Sequence, residues 1–288
     1  MNYDAELLAT GFGLIEGPLW DYDRGLYFSD VLFGGVYCLK ASGKIESVIE
    51  HRRGIGGMSL VRGQGLIVSG RNISFKPFDG GETQLLLDRD EQNGNVGYND
   101  ITTDAAGRVY AGSLGNSPVF DDGRDTAQGD LHLIDLDGSS RIVGQGITLT
   151  NGLGFSPDGN RLYHSDTREN CIYQYEVHDD ASLSEKTVFL HLGDRLPDGL
   201  VISEDGAVWV ALAGEGGGVQ VINEDGSPRE FVPIPVPMCT SVCFGGENLD
   251  ELYIVSGSGG QDTDRGGNIY RVHTQVRGLA VPDARLPG

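Results

Sequence analysis

Apolar and polar residues alternate in short runs along this chain, and glycine-rich turns separate the runs. In the clearest copy, at residues 150–167, a predicted strand at 152–156 leads through the turn Pro157-Asp158-Gly159 to a second predicted strand at 161–165. Alternation on both sides of such a turn is typical of a β-hairpin. The pattern predicts hairpins of short strands, and no segment has the period of an amphipathic helix.

The hairpin recurs six times along the chain. Aligning the second strands places one apolar residue at the same point of each copy, and these residues are Tyr27, Ile67, Tyr110, Tyr163, Trp209 and Tyr253. Neighbouring copies are 40, 43, 53, 46 and 44 residues apart, and a period in the forties with four short strands per unit is typical of propeller blades. We predict an all-β fold, a six-bladed β-propeller with four-stranded blades, formed by residues 1–288 as a single domain.

The ends of the chain bear on how the ring closes. Residues 6–10 precede the first complete unit, and we predict that they form the outer strand of the last blade, because a ring closed by both ends has no loose joint. The N-terminal segment lacks the basic and apolar regions of a signal peptide, and no apolar run is long enough to span a bilayer. A cytoplasmic protein is therefore expected.

Charge and cysteine usage narrow the classes of partner. The formal net charge of -21 opposes binding to nucleic acid or to an anionic membrane, whereas it favours cations. Most of these charges are expected to form a solvated surface. No cysteine pair has the spacing of a zinc site or a redox motif, so we expect buried free thiols at Cys38, Cys171, Cys239 and Cys243.

In four of the six units an oxygen-bearing side chain lies just before the predicted first strand, at nearly the same distance from the aligned residue of the second strand. Counting back eleven residues from the aligned residue, or twelve in the fourth blade, reaches Glu16, Asn99, Asn151 and Asp198. Blades two and six offer no carboxylate or amide there, only Gly56 and Ser241 or Val242. Because the innermost strands of a propeller face one axis, the four side chains are expected to converge.

Two carboxylates and two amides form a set of hard ligands, which suits Ca²⁺, Mg²⁺ or Mn²⁺. The sequence therefore predicts a central metal site. The alternative is that Asn151-Gly152 and Asp198-Gly199 are ordinary turn dipeptides.

These motifs resemble the regucalcin/gluconolactonase family, the senescence-marker-protein lactonases, whose relatives include drug-responsive lactonases and diisopropyl fluorophosphatase. The resemblance extends over nearly the whole chain, through Glu16-Gly-Pro-Leu-Trp20, Asn99-Asp100, Thr150-Asn-Gly152, Pro197-Asp-Gly199 and residues 240–246. It implies that Glu16, Asn151 and Asp198 bind a catalytic divalent metal with Asn99 beside it. Ca²⁺ is the first candidate, with Mg²⁺, Mn²⁺ and Zn²⁺ as alternatives.

One position departs from the family. Its sugar-lactone members have an Arg two residues before the Asn-Asp pair, where it contacts substrate hydroxyls, but this chain has Gly97. The departure weakens the case for an aldonolactone substrate. Arg71 is a candidate for supplying a cation from the neighbouring blade, and the alternative is a plain surface arginine.

Because each second strand runs antiparallel to the first, the loop that follows it returns to the end of the ring where the first strand begins. The predicted ligands lie at this end, so these loops are expected to form the rim around them. The predicted rim comprises residues 31–35, 71–72, 114–129, 167–170, 213–218 and 258–267. The longest of these segments, 114–129, has Phe120 at its centre and is predicted to be a lid that contributes to substrate binding, with a surface insertion as the alternative.

We therefore predict a divalent-metal-dependent hydrolase that opens a lactone, or a similar small ester, by Lewis-acid activation in the axial pocket. Asp198 is the candidate catalytic base or nucleophile. The alternatives are a phosphotriester or fluorophosphate hydrolase using the same site, and a calcium- or ligand-binding propeller without catalysis. None of the six histidines shares a phase with another, so none is assigned. A monomer or weak homo-oligomer is expected.

Overall fold

The computed structural model describes residues 3–120, 123–214, 216–236, 238–258 and 265–288. Over these ranges the chain forms 24 strands in six four-stranded antiparallel sheets, one 3-10 turn at Glu91–Asn93 and no α-helix. The sheets follow one another along the chain. The predicted six-bladed propeller with four-stranded blades is confirmed.

Each of the first three blades uses four consecutive strands. Blade one contains β2 (Ile15–Asp21), β3 (Gly25–Asp30), β4 (Val36–Leu39) and β5 (Ile45–Ile49). Blade two contains β6 (Met58–Val61), β7 (Gly65–Val68), β8 (Ile73–Pro77) and β9 (Gln84–Leu87). Blade three contains β10 (Gly97–Thr103), β11 (Val109–Leu114), β12 (Gly129–Ile134) and β13 (Ser140–Ile147).

The same order continues in the second half of the ring. Blade four contains β14 (Thr150–Phe155), β15 (Arg161–Asp166), β16 (Cys171–Glu176) and β17 (Thr187–His191). Blade five contains β18 (Leu196–Ile202), β19 (Val208–Ala213), β20 (Gly218–Ile222) and β21 (Pro228–Pro233). Blade six contains β22 (Cys239–Gly245), β23 (Glu251–Ser256), β24 (Gly267–His273) and, from the other end of the chain, β1 (Glu6–Phe12).

The last blade closes the ring as expected from the sequence. Strand β1 pairs antiparallel with β24, from Glu6 opposite Arg271 to Phe12 opposite Gly267. The Arg271 guanidinium also bonds the Glu6 carboxylate at 2.6 Å and that of Glu251 at 3.3 Å, which joins three strands of the blade. Both ends of the chain thus share one sheet, and the sheet leaves no open joint in the ring.

The core lies between neighbouring blades. The aligned residues of the second strands are buried, and Trp209 of blade five packs edge to face on Phe244 of blade six with ring centroids 5.4 Å apart. Burying a large apolar side chain stabilises a fold by roughly 1.5–3 kcal/mol. The repeated apolar position is therefore the point where one blade seals against the next.

A segment after β24 closes the lower end of the axial channel, where the turns between first and second strands lie. The backbone N–H groups of Leu279, Ala284 and Arg285 donate to the carbonyls of Ile202 in blade five, Leu60 in blade two and Gly107 in blade three. The segment thereby crosses the ring from one side to the other. No helix of the described residues is long and apolar enough to cross a membrane.

The four cysteines are buried free thiols, as expected. Burial raises the pKa of each thiol, so that all four are protonated at neutral pH.

Candidate metal centre

The four predicted ligand residues lie on the innermost strands of four blades. Glu16 is in β2, Asn99 in β10, Asn151 in β14 and Asp198 in β18. Glu16, Asn151 and Asp198 are buried and Asn99 is half-buried. The structure thus brings together, at the upper part of the channel, side chains that are up to 182 positions apart in the chain.

Each strand that carries one of these four residues has a β-bulge at this level. The pairing with the second strand shifts by one residue between Glu16 and Leu19, Tyr98 and Ile101, Thr150 and Leu153, and Pro197 and Leu200. A bulge bends a strand and re-aims its side chains. Strand β6 of blade two, which offers no ligand, pairs evenly with β7.

The registers explain why the sequence count was twelve in blade four and eleven elsewhere. Tyr163 pairs with Gly154, which lies three residues after Asn151. The aligned residues of the other three blades likewise pair three residues after the ligand, with Leu19, Thr102 and Val201 as partners. The hairpin of blade four has one extra turn residue, and the four side chains are structurally in phase.

The interpretation of Asn151-Gly152 and Asp198-Gly199 as turns is wrong, since both dipeptides lie inside strands. Their glycines permit close approach between blades. A Cβ atom on Gly152 would lie 2.2 Å from the backbone nitrogen of Leu200, and one on Gly199 would lie 2.0 Å from Ser241 Oγ. The Asn-Gly and Asp-Gly pairs therefore reflect packing of inner strands around the axis.

Blade two has a glycine at the ligand position for the same reason. A Cβ atom on Gly56 would lie 2.0 Å from Oδ1 of Asn99. The Ser69 hydroxyl accepts hydrogen bonds from the N–H groups of both Gly56 and Gly57, at 3.1 and 2.9 Å. Blade two thus makes room for the Asn99 side chain of blade three.

A set of hydrogen bonds ties the ligand strands to one another across blade boundaries. In three cases a side chain of one blade donates to the carbonyl just before the ligand of the next blade. The bonds run from Thr240 Oγ1 to Ile15 O at 2.5 Å, from Asn99 Nδ2 to Thr150 O at 2.8 Å, and from Thr167 Oγ1 to Pro197 O at 2.7 Å. Because buried carbonyls need partners, these bonds fix the relative height of the ligand strands.

The two amides are also bonded to each other. Asn99 Nδ2 donates to Asn151 Oδ1 at 2.5 Å, and Asn151 Nδ2 donates to Thr167 Oγ1 at 2.6 Å. The Oδ1 atom of Asn151 thereby faces Asn99, and its NH₂ group faces Thr167.

Burial and mutual repulsion perturb the carboxylates of the site. Desolvation raises the pKa of Glu16 well above its usual value, and the charges of Asp198 and Asp100 add to the rise. The pKa of Asp198 is raised in the same way by desolvation and by Asp100. Desolvation raises the pKa of Asp100 to about 7. The site therefore disfavours its own negative charge unless a positive charge is supplied.

The residues present fit a divalent cation. The Oδ1 atom of Asp198 is buried and has no hydrogen-bond partner among the described residues, which is costly for a carboxylate oxygen. Carboxylate and amide oxygens are the ligands that Ca²⁺ and Mg²⁺ prefer. Within the described ranges there is no group of three or more His, Cys, Asp or Glu side chains arranged to hold a metal, and two of the four candidate ligands are amides.

Sequence reasoning missed two residues of this site. Asp100, which the sequence presents only as part of a motif, is buried, and its charge raises the pKa of both Glu16 and Asp198. Its position directly after Asn99 is the feature of the sequence that indicates a place in the site. Thr167 follows β15 on the rim, and nothing in its sequence context indicates the contacts that it makes.

Arg71 lies beside the position at which the chain departs from the family pattern. Gly70 and Tyr98 exchange backbone hydrogen bonds of 3.1 and 2.7 Å, which attach the Arg71 loop to β10. A Cβ atom on Gly97 would lie 3.6 Å from the Cα atom of Arg71. Arg71 is exposed, and its guanidinium makes no hydrogen bond or ion pair with the described residues.

The predicted lid contacts the loops of two other blades. The ring of Phe120, which is 37% exposed, comes within 3.5 Å of the Cβ position of Gly54, in the loop that joins blade one to blade two. Asn116 Oδ1 accepts a hydrogen bond of 2.9 Å from Arg168 Nη1 in blade four. Within the predicted lid and rim, residues 121–122, 215 and 259–264 lie outside the described residues.

Two histidines lie inside strands, and neither has the pKa of a general base near neutral pH. His164 is buried in β15, where its Nε2 atom lies 2.7 Å from Thr150 Oγ1. Desolvation and the nearby Lys186 charge lower the pKa of His164 to about 3. His132, in β12, also has a pKa lowered by burial.

A cavity of about 150 Å³ lies in the lower half of the channel, below the ligand residues. Its walls include Asp100, Leu200 and Val242 of the inner strands, and Leu279 of the C-terminal segment covers it from below. The cavity and the rim are therefore on opposite sides of the candidate metal centre.

Comparisons with known proteins place the chain among known sequences. Residues 14–258 match the sequence profile of the family described as SMP-30/Gluconolactonase/LRE-like region. The pentonolactonase XacC of Haloferax volcanii is 29% identical over 267 residues, which is 89% of this chain and 86% of that protein. The 6-deoxy-6-sulfogluconolactonase of Pseudomonas putida is 27% identical over 278 residues, 93% of each chain.

A solved structure shows the same fold. The calcium-binding protein regucalcin of Agrobacterium tumefaciens superposes with a TM-score of 0.86 over 99% of both chains, at 22% sequence identity.

Proposed function

Since the chain belongs to the SMP-30/gluconolactonase/LRE-like family, we propose that it is a divalent-cation-dependent hydrolase that opens a lactone. The single observation that carries this proposal is the unpartnered Oδ1 atom of Asp198, buried in a cluster with Glu16 and two amides. The names of the Haloferax and Pseudomonas relatives support a lactone as the substrate. The Agrobacterium protein, described as calcium-binding, supports Ca²⁺ as the first cation to test, with Mg²⁺, Mn²⁺ and Zn²⁺ as alternatives.

Glu16, Asn99, Asn151 and Asp198 are the residues that we assign to the cation. When bound, it would supply Lewis-acid polarisation of the ester carbonyl and positive charge for the developing oxyanion. A cation also explains how Glu16 and Asp198 can both be ionised at neutral pH although burial and neighbouring charges raise the pKa of each.

Asp198 is the group that we assign to activating the attacking water or to attacking directly. Water adds to the carbonyl carbon, the bond from that carbon to the ring oxygen breaks, and the ring oxygen takes a proton to become a hydroxyl. The product is an open hydroxy acid, which releases one proton at neutral pH. Asn99 and Asn151 orient the site through their mutual hydrogen bond.

The rim supplies the substrate contacts in this proposal. The Cα atom of Arg71 lies next to Gly97, and we propose that its guanidinium serves the substrate in place of the arginine that sugar-lactone enzymes carry two residues before the Asn-Asp pair. Phe120 reaches the loop that joins blade one to blade two and would cover an apolar part of the substrate. The substrate is a small molecule that enters from the rim, since the C-terminal segment closes the lower end of the channel.

One assay tests reaction class and cofactor together. Protein stripped with a chelator is supplied with Ca²⁺, Mg²⁺, Mn²⁺ or Zn²⁺ in turn, and binding of the ion is measured by calorimetry. Proton release is then followed on aliphatic, aromatic and sugar lactones and on organophosphates. We expect hydrolysis that depends on the added ion. Hydrolysis of organophosphates alone would identify a phosphotriesterase or fluorophosphatase, whereas cation binding without any turnover would identify a binding propeller.

A further inference from the structure

We propose that Thr167 is a positioning residue that keeps the Asn151 amide oxygen directed toward the axis and couples Asn151 to the strand of Asp198. This inference rests on the proposed cation site. Thr167 follows β15 on the rim loop of blade four and is only 7% exposed. Its side chain is therefore shielded from solvent, and its hydrogen bonds are made to protein groups.

The direction of these hydrogen bonds follows from the chemistry of the partners. Thr167 Oγ1 lies 2.7 Å from the carbonyl of Pro197, which can only accept, so the single hydroxyl proton is used there. The same oxygen then has only lone pairs to offer Asn151, at 2.6 Å. Asn151 must turn its NH₂ group toward Thr167, and its Oδ1 atom consequently faces away from Thr167, on the side of Asn99.

The opposite orientation is disfavoured on a second side as well. The Nδ2 atom of Asn99 donates to the carbonyl of Thr150 at 2.8 Å, which fixes the NH₂ group of Asn99 in its turn. A flipped Asn151 would point its own NH₂ group at that of Asn99, so two donors would meet where a hydrogen bond of 2.5 Å now exists. The Thr167 hydroxyl thus fixes the orientation of the Asn151 amide, which is the last amide in a continuous chain of hydrogen bonds.

Thr167 also joins two ligand strands from different blades. Pro197 immediately precedes Asp198, and Asn151 is a ligand residue itself, so one hydroxyl contacts both. Partners that orient metal ligands in this way typically affect metal affinity by about 10–100-fold when removed. The predicted consequence of losing the hydroxyl is weaker cation binding, even though Thr167 is not itself a ligand.

The experiment compares cation affinity in Thr167→Val, Thr167→Ala and Thr167→Ser, each as the full chain. Ca²⁺ is titrated into chelator-stripped protein by calorimetry, and the shift of the melting temperature with Ca²⁺ is recorded for each variant. Thr148→Val is the matched control, because it removes a rim hydroxyl that bonds only the Glu169 side chain, at 2.8 Å. Thr167→Ala serves if the valine methyl groups prevent folding.

We expect Thr167→Val and Thr167→Ala to bind Ca²⁺ about 10–100-fold more weakly than wild type, and Thr167→Ser and Thr148→Val to remain within about threefold. Wild-type affinity in Thr167→Val or Thr167→Ala would overturn the inference, as would an equal loss in Thr167→Ser, which would assign the effect to packing. Mg²⁺, Mn²⁺ and Zn²⁺ are titrated into the wild-type protein in the same way. A wild-type protein that binds none of the four divalent ions would overturn the cation site itself, and this inference with it.

Discussion

The side-chain amide of Asn99 donates a hydrogen bond of 2.5 Å to Oδ1 of Asn151. The two residues belong to the inner strands of neighbouring blades and are 52 positions apart in the sequence. A shift of either blade would break this bond, so the geometry of the candidate metal centre depends on how the blades pack. Substitutions in the packing, and not only in the ligands, are therefore expected to change the site.

Gly56→Ala tests this dependence without altering a ligand. Its Cβ atom would lie 2.0 Å from Asn99 Oδ1, so Asn99 must move. We expect a loss of stability of about 1–3 kcal/mol, as for other overpacked sites, together with weaker Ca²⁺ binding in calorimetry. Gly81→Ala is the control, because its nearest neighbour is the Asp79 side chain at an exposed turn. Unchanged Ca²⁺ binding in Gly56→Ala would show that the position of Asn99 is unimportant.

Asp198→Asn tests the catalytic assignment. The substitution keeps the shape of the side chain, so the fold should be retained. Turnover of the best lactone should fall by at least about 100-fold, the usual scale for a catalytic proton-transfer group. Circular dichroism checks the fold, and Asp194→Asn, at an exposed position shortly before the same strand, should behave like wild type. Full activity in Asp198→Asn would refute the assignment.

The pKa of Asp100 predicts how metal-free stability depends on pH. Desolvation raises this pKa from 3.8 to about 7 in the folded protein, so the folded state holds the proton more tightly than the unfolded state. The contribution of Asp100 to the free energy of unfolding is therefore complete below about pH 4, and it is lost as the pH rises through about 7. We expect the melting temperature in chelator to fall across this interval.

Asp100→Asn should reduce that fall and raise the metal-free melting temperature at pH 8. Asp137→Asn is the comparison, since Asp137 is exposed and its pKa is lowered by bonds to Ser139. Scanning fluorimetry from pH 4.5 to pH 8 distinguishes the two variants. If the metal-free wild-type protein were as stable at pH 8 as at pH 4.5, or more stable, the raised pKa of a buried Asp100 would be contradicted.

Deletion of the first ten residues tests ring closure. The deletion removes most of β1 and the bond between Glu6 and Arg271, which exposes the edge of β24. For a chain of this size each kcal/mol lost lowers the melting temperature by about 2–4 °C, so a fall of at least about 5 °C is expected. A deletion of residues 1–2 alone keeps β1 and the packed side chain of Tyr3, and it should have little effect. A ten-residue deletion with wild-type melting would disprove closure by β1.

Arg71→Ala tests the proposed substrate contact. If the guanidinium bonds the substrate, KM should rise by about 10–100-fold, the usual worth of a hydrogen bond to a charged group, with a smaller change in kcat. Arg161→Ala provides the control, because Arg161 lies at the start of β15, away from the rim, and pairs with Glu224. Steady-state kinetics on the best lactone decide the outcome. An unchanged KM would show that Arg71 is a surface residue with no role in substrate binding.

Most of the fold was predictable because its signals are local. Strand alternation, the turn at residues 157–159 and the repeated apolar position are properties of neighbouring residues. The predicted ends of strands are less accurate. The sequence predicts a strand that starts at residue 152, whereas β14 starts at Thr150 and contains Gly152, which packs against blade five. A glycine that serves blade packing has the same appearance in sequence as one that serves a turn.

The sequence by itself determined the number of blades, the closure by β1 and the four oxygen-bearing residues at one phase of the repeat. Only the tertiary structure decided that Gly56 makes room for Asn99, that Asp100 is buried beside Asp198, and that Thr167 orients Asn151. The physical reason is that alternation and turn chemistry act over a few residues. Burial, repulsion between carboxylates and hydrogen bonds between blades exist only once distant parts of the chain have packed around a common axis.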